Sequence, residues 1–249
     1  MGICDSNLKT NSNNDNAFPH IINQKNVKYG EKISLENNIL LNEIVKNSLC
    51  EVVIDYGSYG TGFLCKIKYP NQNNEIICLL TNNHVIKKYV LENKEYIEIK
   101  INNVLKRISL NIKRSIWSNE IIDFTCIEIL KEDNIKLNNV FEIDDNSYNN
   151  NFDIKEYNKR GICNSSIGLT KEAFIEHGAV YYCKNYNDIF FLHDCNTDFG
   201  YSGGPIVLNY NIKIIGIHKG YDENNNKNVG IYIQKILNNL NEENKIYRK

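Results

Sequence analysis

Residues 198–208 read DFGYSGGPIVL, a serine set among glycines with a proline and an apolar run behind it. Acyl transfer by a serine requires a hydroxyl, a base in contact with it, a group that orients the base, and donors for the developing oxyanion. Ser202 supplies the hydroxyl. The flanking glycines permit a sharp turn that exposes it and aims the backbone N–H groups of Gly200 and Ser202 at one point. A base candidate, His84, follows an apolar run in CLLTNNHVI (78–86), and an acid candidate, Asp123, opens another in IIDFTCIEIL (121–130). Taken singly, these are a glycine turn before a strand, a strand-end histidine and a turn acid. Taken together, they are the parts that a hydrolytic site requires.

The elements that must position these residues are mostly short strands. EVVIDY, GFLCKIKY, EIICLLT, YIEIKI and FTCIEIL form one set of apolar or alternating runs, and AVYYCK, DIFFLHD, PIVLNY, KIIGIHKG and VGIYI form a second. Turn clusters such as GSYGT and PNQNNE separate the runs, and an Asn- and Asp-rich stretch near 131–160 separates the sets. That rhythm predicts an all-β protein, an antiparallel barrel pair or a sandwich. Ahead of the strands, SLENNILLNEIVKNSL (34–49) predicts a helix capped by Ser34, with Leu35, Ile39, Leu40, Ile44 and Val45 at helical spacing. QKILNNLNEENK predicts a C-terminal helix, and residues 1–30, polar and Asn-rich, predict a flexible leader. The division expected is 1–45 for leader and helix, 46–145 for a first barrel with His84 and Asp123, and 146–249 for a second with Ser202.

The ordered set GTGFLCKI (60–67), LLTNNHVI (79–86), DFTCIEI (123–129), GYSGGPIVL (200–208) and IIGIHKG (214–220) resembles the trypsin-like, chymotrypsin-fold serine peptidases over about residues 46–240. The chain order His84, Asp123, Ser202 is that of the chymotrypsin barrel. The resemblance implies two six-stranded antiparallel β-barrels with the site in the cleft between them. It implies Ser202 as nucleophile, His84 as base, Asp123 as its orienting acid, and the N–H groups of Gly200 and Ser202 as the oxyanion hole. It implies a protein or peptide substrate and no cofactor. Asn82 and Asn83 replace the small residues usual before the base.

Tyr201 departs from the secreted branch of the family, where an aspartate pairs with a new N-terminus made by zymogen cleavage. No activation sequence precedes the first barrel, and Val85 stands where a cysteine usually follows the base. These departures imply an enzyme active without cleavage, with Tyr201 either supporting the turn or merely tolerated there. NTDFGYSGGPIVLNYNIKIIGIHKG is similar to the glutamyl endopeptidases and the picornaviral main proteases. The similarity implies that Thr197 and His218 line the S1 pocket and prefer a P1 Glu or Gln. Both side chains would donate to the P1 oxygen, and a protonated His218 would favour Glu. His193 and Asp194 read as barrel residues, and the direction of Lys219 is open.

The chain has 249 residues and a formal net charge of −1, which argues against a nucleic-acid partner. Its eight cysteines form no C-x-x-C pair, so no metal site is expected. Residues 1–28 lack a secretory pattern, so the cysteines read as reduced thiols in a cytoplasmic setting. MGICDS fits the N-myristoylation pattern at Gly2, with Cys4 as a palmitoylation candidate, so a peripheral membrane surface is a second expected partner. The alternative to an enzyme is a non-catalytic barrel of the same fold that acts as a peptide-binding or membrane-targeted module.

Overall fold

The computed structural model describes residues 30–54, 58–71 and 73–247. The expected leader, with the acylation candidates Gly2 and Cys4, lies outside the described residues. The first helix, α1 (Leu35–Ser48), is capped as its sequence requires: Ser34 Oγ accepts the Asn37 N–H at 3.1 Å. Its buried stripe is Leu41, Ile44, Val45 and Ser48, whereas Leu35, Ile39 and Leu40 face outward. Two apolar stripes overlap on this helix, and tertiary packing selects the one that joins the core around Phe63, Phe141 and Ile212.

An N-terminal sheet follows: β1 (Leu49–Ile54), β2 (Ser58–Lys68) and β3 (Glu75–Thr81); then a short helix, α2 (Lys88–Asn93); then β4 (Tyr96–Ile101), β5 (Val104–Ser109), β6 (Ile116–Asn119), β7 (Phe124–Glu128) and β8 (Phe141–Glu142). The strand order is β5-β4-β1-β2-β3-β7-β6, with β8 parallel to β2. Among the described residues no pairing joins β5 to β6, so this half is a curled open sheet where a closed six-stranded ring is implied by the resemblance. Arg114 bridges the seam. Its guanidinium donates to the Ser109 carbonyl on β5 at 2.8 Å and to the Glu128 carbonyl on β7, and it pairs with Asp133 through two bonds of 2.8 and 2.7 Å.

The second half is a closed antiparallel barrel built from β9 (Gly161–Ile167), β10 (Ala173–Tyr181), β11 (Phe190–His193), β12 (Pro205–Leu208), β13 (Ile214–Asp222) and β14 (Lys227–Tyr232). One core cluster runs from α1 through Phe63, Trp117 and Phe124 to Val207, Ile217 and Ile231, so the two sheets share a single interior. β5, β6, β8 and β9 have no counterpart among the expected strands. β5 is an edge strand with only Ile108 buried, and β9 buries Asn164, Ser165 and Ser166, so neither shows apolar alternation.

The C-terminal helix is shorter than expected. α3 spans Ile233–Leu237, and a single 3-10 turn (Glu242–Asn244) follows. The chain leaves the helix at Asn238 and Asn239, poor helix formers, and returns to the open edge of β6, where the Ile246 N–H donates to the Ile116 carbonyl at 2.8 Å.

The Arg114–Asp133 pair is fully buried, so removing one partner strands a charge. Asp133→Ala should lower the unfolding free energy by about 3–5 kcal/mol, read as a drop in denaturation midpoint.

Candidate active site

β3 and β7 are antiparallel, with Thr81 opposite Thr125. The end of β3 therefore lies beside the start of β7, which brings His84 to Asp123. Asp123 closes the β6–β7 hairpin in a left-handed conformation, φ +62°, which an aspartate tolerates better than most residues. Asn82 Nδ2 holds its carbonyl at 3.1 Å. The carboxylate then accepts twice from His84: the backbone N–H donates to Oδ1 at 2.9 Å and Nδ1–H to Oδ2 at 2.8 Å. That pairing keeps the imidazole proton on Nδ1 and leaves Nε2 as the basic nitrogen. The His84 side chain is 46% exposed and that of Asp123 only 5%, a reachable base on a sheltered acid.

Lys219 answers the question of its direction: Nζ donates to Asp123 Oδ2 at 2.6 Å. Burial works to raise the Asp123 pKa, but the hydrogen bonds from His84 and Lys219 outweigh it and hold the carboxyl below its ordinary value.

Ser202 stands in a turn whose two flanking glycines, Gly200 and Gly203, both have φ +91°. At Gly203 a Cβ would meet the Thr61 carbonyl oxygen at 2.0 Å, so no side chain fits. Thr61, on β2, fastens the turn to the other sheet. Its Oγ1 donates to the Gly200 carbonyl at 2.8 Å and accepts the Ile167 N–H at 2.9 Å, and its own N–H donates to the Ser202 carbonyl at 2.8 Å. Among the described hydrogen bonds, the N–H groups of Gly200 and Ser202 have no acceptor, as an oxyanion hole requires. The Ser202 hydroxyl donates to the Lys219 carbonyl at 3.1 Å, and no hydrogen bond joins it to His84. Tyr201 is buried and stacks on Phe174 with centroids 5.9 Å apart. Burial, with Glu176 and Asp198 nearby, pushes its phenol up to about 12. It is a packing support for the turn.

The two S1 candidates lie along one wall. His218 on β13 is opposite Gly230 of β14, and Asn228, two residues before it on β14, holds Thr197. His193 Nε2 and His218 Nδ1 are 3.0 Å apart. His193 Nδ1 is buried without a partner, and an N–H there would be unsatisfied. His193 therefore carries its proton on Nε2 and donates to His218, which places the His218 proton on Nε2. Burial, then the neighbouring His193 and His84, pushes His218 well below its ordinary pKa, so it is a neutral donor and the expected protonated form is not available. Thr197 differs from expectation too. Asn228 Nδ2 donates to the Cys195 carbonyl at 2.7 Å, which turns Asn228 Oδ1 toward Thr197, and the Thr197 hydroxyl donates to it at 2.6 Å. Thr197 is left as an acceptor.

Asp194 accepts from the Ala179 N–H and the Tyr181 hydroxyl, both at 2.7 Å, and is a barrel residue as read. His177 bonds the Cys163 thiol at 3.2 Å. The seven described cysteines are all free. Thr61, Asn82 and the carboxylate contact of Lys219 escape sequence reasoning. Their only sign is a polar residue inside a run already chosen for its neighbours.

Thr61→Val keeps the shape but leaves the Gly200 carbonyl and the Ile167 N–H unpaired. It should cost about 2 kcal/mol of stability by denaturant unfolding.

No family profile matches the chain, and no curated protein matches it. Solved structures do. A serine endoprotease from Yersinia pestis is 17% identical with a TM-score of 0.56, over 84% of this chain and 68% of its own. The protease Rv3671c of M. tuberculosis, in an inactive form, is 9% identical with a TM-score of 0.59, over 86% and 95%. Deg5 is 16% identical with a TM-score of 0.56, over 82% and 91%. The chain has the two-barrel, all-β fold of the trypsin-like serine endoproteases.

Proposed function

We propose that the chain is a serine endopeptidase. The observation that carries the reading is the His84–Asp123 pair, oriented through both carboxylate oxygens, in a fold whose glycine turn presents Ser202 beside two unused N–H groups. Rotation of the Ser202 side chain toward His84 starts the reaction, since resting catalytic hydrogen bonds often tighten only with substrate. Oγ attacks the scissile carbonyl carbon as its proton passes to His84 Nε2. The N–H groups of Gly200 and Ser202 take the oxyanion. The tetrahedral intermediate collapses with the proton returned to the leaving amine, and water repeats the sequence on the acyl-enzyme. Tyr201 offers no carboxylate to receive a new N-terminus, so the full-length chain is active without cleavage.

In S1, a neutral N–H from His218 beside an accepting Thr197 hydroxyl complements a carboxamide, which has one acceptor and one donor group, better than a carboxylate. Among the P1 residues that the resemblance implies, this arrangement supports Gln over Glu.

One observation favours the second reading, a non-catalytic peptide-binding barrel: the Ser202 hydroxyl is engaged by the Lys219 carbonyl. A fluorophosphonate probe separates the two. The full-length protein should label at Ser202, Ser202→Ala should not, and His84→Ala should label more slowly by about 10⁴-fold or more. A wild-type protein that stays unlabelled supports the binding module.

A P1-randomised peptide library should return Gln first, Glu second, and apolar or basic residues well behind. Each donor or acceptor left unmade costs about 1–3 kcal/mol. His218→Ala should depress Gln cleavage far more than it depresses labelling. A library led by Arg or Phe would show that the S1 assignment is wrong while leaving the catalytic one standing.

A further inference from the structure

Asp123 accepts from two side chains, where orienting a base requires one. His84 Nδ1 and Lys219 Nζ converge on the same oxygen, Oδ2, at 2.8 and 2.6 Å. Lys219 reaches it by a local device. β13 and β14 pair in register as far as His218 and resume at Gly220 with a shift, so Lys219 is the extra residue of a β-bulge. A bulge takes one residue out of alternation and re-aims its side chain. The same residue presents its carbonyl to the Ser202 hydroxyl at 3.1 Å. One bulged residue thus touches the acid with its head and the nucleophile with its backbone.

We infer that Lys219 is a positioning residue that shares the Asp123 carboxylate with His84, holding the acid as an anion while opposing positive charge on the imidazole. The inference rests on the proposed triad. When His84 takes the Ser202 proton it becomes a cation that faces the Lys219 ammonium across the shared oxygen, and like charges disfavour that state. His218, from β13, is neutral. Phe190, from β11, places its ring 5.6 Å from Lys219 Nζ. Asn82, beyond β3, binds the Asp123 backbone only. Lys219 is the cation that shares Asp123 Oδ2 with His84. Its charge opposes the imidazolium that forms when His84 takes the Ser202 proton.

The sign follows. Removing the ammonium favours protonated His84, so the acid limb of reactivity moves to higher pH. The test compares Lys219→Met and Lys219→Arg with the wild-type full-length chain. Two readouts are taken: the pH dependence of fluorophosphonate labelling at Ser202, and the NMR titration of the His84 imidazole, assigned by its loss in His84→Ala. Lys219→Met should move both midpoints up by about one pH unit, and Lys219→Arg should stay close to wild type. Lys219→Gln serves if the methionine variant folds poorly. Wild-type and Lys219→Met curves that superpose overturn the inference. If the wild-type protein does not label, the proposed peptidase reading fails. The imidazole titration then decides the Lys219 coupling by itself, supporting it if the midpoint moves and overturning it if the midpoint stays.

Discussion

A threonine hydroxyl joins the two halves of the site. Thr61 belongs to the N-terminal sheet, yet its Oγ1 binds the Gly200 carbonyl and the Ile167 N–H, both of the second half. Its carbonyl in turn accepts from Thr81 Oγ1 at 2.7 Å, one strand over and three residues before His84. His84 and Ser202 come from different sheets, and this link helps to fix their separation. The absent side chain at Gly203 is part of the same constraint, because the turn can approach the Thr61 carbonyl only where nothing projects. The shared apolar interior then makes the docking of the two halves costly to undo.

The electrostatics are built on that frame. A carboxylate buried at the end of a hairpin is unfavourable unless its lone pairs are used. Asp123 uses them on the His84 backbone, the His84 ring and Lys219. The first two set the tautomer and direction of the imidazole. The third adds charge. The result is an acid held as an anion and an imidazole whose Nδ1 is committed to it. The second histidine pair obeys the opposite logic: His193 and His218 are buried without a carboxylate partner, so both stay neutral, with His193 pushed down to about 3 by burial and the charge of Lys227. The protein pairs one histidine with a carboxylate and buries two others without one.

The sequence by itself determined the residue types and their order. Ten strand runs, the Ser34 cap and the His84, Asp123 and Ser202 candidates are legible because each depends on local rules: alternation, capping, and glycine where the chain must turn. Where two local rules agree equally well, the sequence does not choose. α1 carries two overlapping apolar stripes, and only contact with the sheet buries Leu41 and leaves Leu35 and Ile39 in solvent. β9 hides because it buries Asn164, Ser165 and Ser166, polar residues that break apolar alternation. The path of the chain after α3 is set by the open edge of β6, far earlier in the sequence.

Tertiary structure alone decided the protonation states and the directions of side chains. A bulge in one strand pair, invisible in IIGIHKG, turns Lys219 to Asp123. A neighbour on β11 makes His218 a neutral donor, and a neighbour on β14 makes Thr197 an acceptor, although their residue types allow the reverse. The physical reason is the same each time. Residue type fixes which protons a group can hold. The partner and the local dielectric fix which ones it does hold, and both are supplied by segments brought together only when the chain folds.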